Sequence, residues 1–466
     1  MNSKLVSLFC CLIMLVSFSG CTKVTQLVKD NQPTKAELLA EINEEHQRWE
    51  AAPAADPTPY LRHYDDPADA QKYFDYVTDT YSEYNAAKEL SLEEAEEDVN
   101  YLFDAFYYDF AFYDYFGGHT VFDQAKAEIL QELQAKDNLT CKDLQEVLVK
   151  HLTFIKDGHF NINHNFPAEK EIPFFFRQVM FVKTDSGYQD SKGKTVVSVD
   201  GHPDLDTLFK RSISQEGYLV YYPVLLKEAK FDGTEWDKHV CDEQLTVHYA
   251  DGSTDVLTAD AWRQYYKELP KDQNTDLRQT DGIPVFQFNS FDGSFLQEVN
   301  AAAAQMSDAA ISMLDLRSNV GGYEEVAHQW ITRYSRQRVQ GNGVRYDVVN
   351  PVSVAIQAHR WQTHDNILIL LSGKCSASSA EITMDLAYNL ENSLIIGENT
   401  NGCMIGNGGH VELPNSKCSV IMTSVGVYLL PEGADYFEEM RGLSPDIWVP
   451  AKEAETLAAK LMENLK

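Results

Sequence analysis

Positive charge is scarce in this chain. Lys and Arg number 39 against 71 Asp and Glu, a formal net charge of −32, and no long basic cluster stands out. That argues against a nucleic-acid partner, because a phosphate backbone is gripped by Lys and Arg. The same excess would be repelled by an anionic membrane surface. Past residue 20 there is no run of 18 apolar residues, so no further segment is expected to span a bilayer as a helix. The eight cysteines follow no zinc-ligand spacing. No internal repeat is visible, which sets repeat architectures aside.

What is present is ordinary globular material, 44 % hydrophobic and 24 % charged, which excludes wholesale disorder. With 466 residues, two or three domains are expected at about 100–200 residues each.

The first 20 residues stand apart. Lys4 precedes an apolar stretch over 5–18, then come Ser19, Gly20 and Cys21. This is the pattern of a secretory signal, too short for a comfortable span. The small-small-Cys ending resembles a bacterial lipobox, with Phe18 where leucine is usual. The resemblance implies lipidation of Cys21 and a lipid-anchored lipoprotein of the cell envelope. The residues after it, Thr22-Lys23-Val24-Thr25, carry no acidic run, and a periplasm-facing anchor is expected. The plainer account is a simple signal with a coincidental cysteine. With Cys21 lipidated, Cys141, Cys241, Cys375, Cys403 and Cys418 remain, an odd number that leaves at least one thiol unpaired.

Residues 21–40 are polar and read as a tether, and 41–165 as a helical domain, with the helical pattern running from about 66 to 156. Leu92 to Phe116 is crowded with aromatics. Such a face could stack sugars, but a bulky core is the simpler reading. Residues 166–280 carry short strands, such as 196–199 and 245–249, and read as a small β-rich module without a clear PDZ pattern. From 281 to 466 strands and helices alternate, as in a layered α/β domain. Strands are expected at 311–316, 367–371 and 394–396, and helices at 324–336 and 377–390.

Three places could carry chemistry. Ser376, Ser378 and Ser379 lie where an apolar strand gives way to a helix. Helix-start N–H groups there have no carbonyl partners, and they favour developing negative charge. Serine is also a common N-cap, which is the plainer account. Asp315 to Gly322 is a strand ending in paired glycines, able to present N–H groups at close range or simply to turn. Asp157-Gly158-His159 offers a base, which a serine nucleophile needs. His119 competes for that role on composition alone.

Together these places resemble peptidase family S41, the carboxy-terminal processing and tricorn-like serine peptidases. Asp315-Leu316-Arg317-x-Asn319-x-Gly321-Gly322 resembles the family's strand end. Ala377-Ser378-Ser379-Ala380-Glu381 resembles its Ser-Ala-x-Glu nucleophile turn, in which the serine lies three before the glutamate. Gly397-Glu398-x-Thr400-x-Gly402 and Gly442-x-x-Pro445-Asp446-Ile447 resemble two downstream motifs. The resemblance covers roughly 281–450. It implies a crotonase/ClpP-like layered α/β catalytic domain and a serine-type peptidase that needs no cofactor or metal. The expected partner is a peptide or unfolded protein. The processing branch has a Ser-Lys dyad, but its lysine position is occupied by Cys403. The resemblance therefore points to the tricorn-like branch, which implies Ser378 as nucleophile, His159 as base and Glu439 as the acidic partner, with Glu438 the alternative. In tricorn a serine precedes the histidine, and here that position is Gly158. The oxyanion hole implied is the backbone N–H of Ser379 and of Gly321 or Gly322. The same scaffold also serves family members that bind ligands without acting as peptidases.

Overall fold

The computed structural model describes residues 24–50, 52–72, 75–230, 238–270, 272–349 and 360–465. The expected signal segment and Cys21 lie outside the described residues. Gln26–Asp30 (α1) and Lys35–Gln47 (α2) are helices, the second opened by a Thr34/Glu37 capping box. The tether expected over 21–40 is corrected for its described part. Val28 packs against Met180, Val182 and Val220, while Leu38 and Ile42 enter the core beneath the large sheet. Few apolar residues among many polar ones look solvated in sequence, but these sit on the buried face.

Three helices follow, Leu92–Asp109 (α3), Gly118–Gln134 (α4) and Cys141–His151 (α5). The helical pattern expected from residue 66 starts only at 92. Before it, Pro67–Lys72 is a short 3-10 helix, and no helix lies between it and α3 among the described residues. Phe103, Phe106, Phe110, Phe112 and Tyr113 are buried, with Phe106 edge-on to Phe103 and Phe122. The aromatic run is therefore core. That core is shared: Val411, Leu413, Val420 and Met422, far along the chain, complete it.

Asn161–Ile162 (β1) leads into a β-rich module. Lys170–Phe175 (β2), Phe181–Thr184 (β3), Gly187–Asp190 (β4), Val196–Val199 (β5), Phe209–Ile213 (β6), Leu219–Ala229 (β7), Gln244–Tyr249 (β8) and Thr254–Thr258 (β9) form two small sheets, ordered β2-β7-β3-β4 with β6 on β7, and β9-β8-β5. They share one apolar core. Thr275–Thr280 (β10) leaves the module and pairs antiparallel with Ile283–Phe288 (β11). This pairing makes Thr275–Thr280 the edge strand of the large sheet.

The C-terminal part contains Leu296–Met306 (α6), Ile311–Asp315 (β12), Glu324–Ser335 (α7), Val344–Tyr346 (β13), Ile367–Ser372 (β14), Ser379–Ala387 (α8), Ser393–Gly397 (β15), Gly406–Glu412 (β16), Ser419–Leu429 (β17), Ile447–Trp448 (β18) and Ala454–Asn464 (α9). Six strands make one sheet in the order β10-β11-β12-β14-β15-β18, parallel except for the β10–β11 pair. Both faces of its centre are covered, so the inner strands β14 and β15 are almost wholly apolar. Leu368 and Leu370 face the core built with α6, α7 and α8, whereas Ile367, Ile369 and Leu371 face α2 and α9. A second sheet holds β13-β17-β16. β1 adds to its β17, with Ile162 opposite Val420. That pairing delivers the residue stretch just before β1, from the helical region, to the C-terminal domain.

Candidate active site

Strand β14 ends at Ser372 and helix α8 begins at Ser379, so the serine cluster occupies the turn between them. The three serines have different fates. Ser376 is buried, with its hydroxyl donating to Leu316 O at 2.8 Å and accepting from Gly373 N at 3.0 Å. The Ser379 hydroxyl donates to Gly322 O at 2.7 Å. Ser378 stands at the N-cap with φ 55° and ψ −116°, a backbone region that costs a non-glycine residue of order 1–3 kcal/mol. Its hydroxyl proton has no acceptor among the described residues.

Glu381 holds this turn. Its carboxylate accepts the Ser378 N–H at 2.9 Å, Cys403 N–H at 3.0 Å, Gly402 N–H at 2.7 Å and the Thr400 hydroxyl. The Ser-x-x-Glu and Gly-Glu-x-Thr-x-Gly segments are thus parts of one hydrogen-bonded unit. Asn319 donates to Phe288 O and accepts the Gly321 N–H, each at 2.8 Å. Of the two glycines expected to offer an N–H, Gly321 has spent its own, which leaves Gly322. Gly321 must be glycine: its φ is +97°, and a Cβ there would lie 2.8 Å from that of Ser378. Asp315 and Arg317, by contrast, are structural. The buried guanidinium bonds both Asp315 oxygens, Ala451 O and Glu455.

His159 lies just before β1, with its side chain only 11 % exposed. Neither ring nitrogen has a hydrogen-bond partner among the described residues. The ring packs on β16, 3.2 Å from where a Cβ on Gly408 would be. Asp157 sits beneath it. One Asp157 oxygen accepts the His159 N–H and the Thr423 hydroxyl and the other accepts the Thr423 N–H, all at 3.0 Å. Glu439 accepts the Gly158 N–H at 2.8 Å and the Ile405 N–H at 3.3 Å. Asp157, His159 and Glu439 each bring one donor atom within 4.8 Å of the others. Every carboxylate oxygen in this trio already serves the backbone, the arrangement of groups that orient a histidine. Glu438 instead faces solvent and pairs with Arg441 at 2.5 Å. His119 is half-exposed beside Asp65 and Asp123, in the helical region.

The two turns meet at Gly402–Cys403. A Cβ on Gly158 would lie 2.0 Å from Gly402 O and 2.5 Å from the Cys403 Cβ. No side chain fits at 158, so the position must be glycine. The Cys403 N–H is held by Glu381, and burial pushes its thiol well above the ordinary range, so it is no thiolate. Two lysines are buried nearby. Lys374 donates to Thr400 O at 2.7 Å and Arg441 O at 2.9 Å, and burial, with Lys170 close by, pushes it down to about 7. Lys170 donates to Gly158 O at 3.0 Å and to Asn401 Oδ1.

Burial also sets the protonation states of the site. It holds His159 below its ordinary value, against the opposing pull of Asp157. The ring is therefore neutral at pH 7 and able to take a proton. Burial beside Asp157 and Glu381 raises Glu439 well above the carboxylate range. A cavity of 730 Å³ opens beside Glu439, walled by Tyr60, Phe116, Phe154, Leu430 and Phe437.

The layered α/β fold, the serine turn and the glycine pair define a hydrolase domain of the serine-peptidase type. Residues 282–449 match the sequence model of Peptidase family S41, a family of serine-type peptidases, so the similarity to that family belongs to this stretch of the chain. Among solved structures, mature CPAF is similar at 13 % identity, covering 80 % of this chain and 96 % of that one, with a TM-score of 0.41. The tricorn protease aligns at 13 % identity over 80 % of this chain and 37 % of its own, TM-score 0.38. A lipoprotein from Streptococcus agalactiae aligns at 11 % identity over 80 % and 95 %, TM-score 0.37. No curated protein matches the chain.

The sequence named Asp157 and Asn401 only as members of motifs, and it passed over Lys170 and Thr423 altogether. The bonds of Lys170 to Asn401 and of Thr423 to Asp157 span 231 and 266 residues, and no local pattern marks them.

Proposed function

We propose that the protein is a lipid-anchored endopeptidase of the cell envelope, periplasm-facing, that uses Ser378, His159 and Glu439 rather than a Ser-Lys dyad. The observation that carries this reading is Ser378 itself. It is the one serine of its turn whose hydroxyl proton is uncommitted, and it is held in a strained conformation beside Gly321. His159 takes the Ser378 proton as Oγ attacks the substrate carbonyl carbon. The N–H groups of Ser379 and Gly322 stabilise the oxyanion. His159 then gives its proton to the leaving amine, and water hydrolyses the acyl-enzyme by the same route. Glu439, whose carboxyl oxygens accept the Gly158 and Ile405 N–H groups, fixes the peptide that carries His159 and so orients the base. No hydrogen bond joins His159 to Ser378 here. Such bonds commonly tighten only with substrate in place.

The test is cleavage of a diverse peptide mixture by the chain from Thr22, with new termini mapped by mass spectrometry. Termini formed by the wild type, and absent with Ser378→Ala and His159→Ala, support the reading. A folded wild type that binds peptides without cutting them makes the chain a binding protein on the same scaffold. The anchor is tested separately, by metabolic labelling with a fatty-acid analogue that Cys21→Ala should abolish.

A further inference from the structure

Lys170 opens β2, the first strand of the β-rich module, and its side chain is fully buried. An ammonium in that position is costly unless its protons are all used. No carboxylate pairs with it among the described residues. Its Nζ instead donates to the carbonyl of Gly158 at 3.0 Å and to Asn401 Oδ1, over the ring of Phe166 at 4.6 Å. Asn401 passes the connection on: its Nδ2 donates to Lys374 O at 3.0 Å and its N–H to Ser376 O at 2.8 Å. Lys374 and Ser376 belong to the turn that ends at Ser378. A continuous chain of hydrogen bonds thus runs from the peptide that enters His159 to the loop that carries the serine.

We infer that Lys170 is a positioning residue for the His159–Ser378 pair, supplied to the active site by the β-rich module. The inference rests on the peptidase reading above and adds a third module to the catalytic unit. Lys170 has a second effect through its charge. His159 is faced by Asp157 below it, Glu381 from α8, Glu439 and Cys403 from the adjoining loops, and Arg345 from β13. Asp157 and Glu381 draw a proton onto the ring, whereas Lys170 opposes them and helps keep the ring an acceptor. A cation therefore does stand beside Cys403, the position of the processing branch's lysine. With Nζ committed to two acceptors, it orients and does not act as base.

The experiment is Lys170→Met, read in two ways. The first is the titration of the His159 ring by NMR in histidine-labelled protein, assigned with His159→Gln. The second is the pH profile of peptide hydrolysis. We expect the His159 midpoint to move to higher pH, the acid limb of kcat/KM to move with it, and kcat to fall by about 10²-fold with a smaller change in KM. A folded Lys170→Met with an unmoved His159 midpoint and near-wild-type kcat overturns the inference. If that variant does not fold, Asn401→Ala cuts the same chain while leaving the charge. It should lower kcat without moving the midpoint, and an unchanged kcat overturns the inference. If the wild type cleaves nothing, the NMR shift still decides the placement of Lys170, and the peptidase reading alone falls.

Discussion

The turn that carries Ser378 and the turn that carries His159 are built on opposite principles. The serine turn is local. A parallel strand stops, a helix starts, and Glu381, three residues on, accepts the serine N–H together with two N–H groups from residues 402 and 403. The histidine turn is assembled from a distance. Asp157 is fixed by Thr423, 266 residues away, and Gly158 by Glu439, 281 residues away. A strained local turn can survive as a short motif. A turn held from a distance shows in the sequence only as Asp157-Gly158-His159, without the residues that hold it, and it depends on everything that positions those residues.

That contrast can be broken at either end. The largest effect belongs to Ser378→Ala, which should cost at least about 10³-fold in kcat/KM with an unchanged melting profile. Retained cleavage would move the nucleophile elsewhere. Gly158→Ala comes next. Its Cβ falls 2.0 Å from Gly402 O, so the two turns must separate, with a loss of about 10²-fold in kcat and of stability. A neutral outcome there would mean the meeting point is loose. Asp157→Ala leaves the buried Thr423 N–H and hydroxyl without an acceptor, at about 1–3 kcal/mol. Urea unfolding should show this, with kcat falling as His159 loses its support.

Two pH measurements sharpen the comparison further. His159 sits below its usual 6.5 because it is buried. Activity should therefore persist as the pH drops through 6.5 and fall only at the lower, folded-state value. In the same interval the unfolded chain takes up the proton first, so this histidine subtracts stability towards acid. The smallest effect concerns Glu398, in the serine half of the site. Burial pushes it up to about 7, against an ordinary 4.5, while Trp262 and Ala451 donate to it. It stays protonated when folded while the unfolded chain already ionises. Its contribution to stability therefore declines as the pH rises from 4.5 through about 7. Glu398→Gln should flatten that part of a plot of melting temperature against pH.

Much of the fold was legible from the sequence. Runs such as Ile367 to Leu371 are apolar at every position because both faces are covered, and the helices at 324–335 and 379–387 fall where strand ends and small residues place them. The serine turn was legible for the same local reason. The opening residues were less so. Val28, Leu38 and Ile42 sit among polar neighbours, and only tertiary packing shows that they are buried. Nor could spacing show that the helical region and the β16–β17 hairpin share one core, since β1 must first be laid on β17. Lys170 was invisible because a single lysine at the start of a strand reads as solvent-facing until its neighbours are known.

The shared core has a consequence for how such a protein could be switched on. Many proteases are held inactive by an N-terminal prosegment that is cut away. Here the segment before β1 supplies His159 and buries Val411, Val420 and Met422 of the C-terminal hairpin. Removing it would expose an apolar face and, under the proposed mechanism, discard the base. On that mechanism, loss of the segment ahead of residue 160 inactivates the protein, and any zymogen logic acts somewhere other than at the helices.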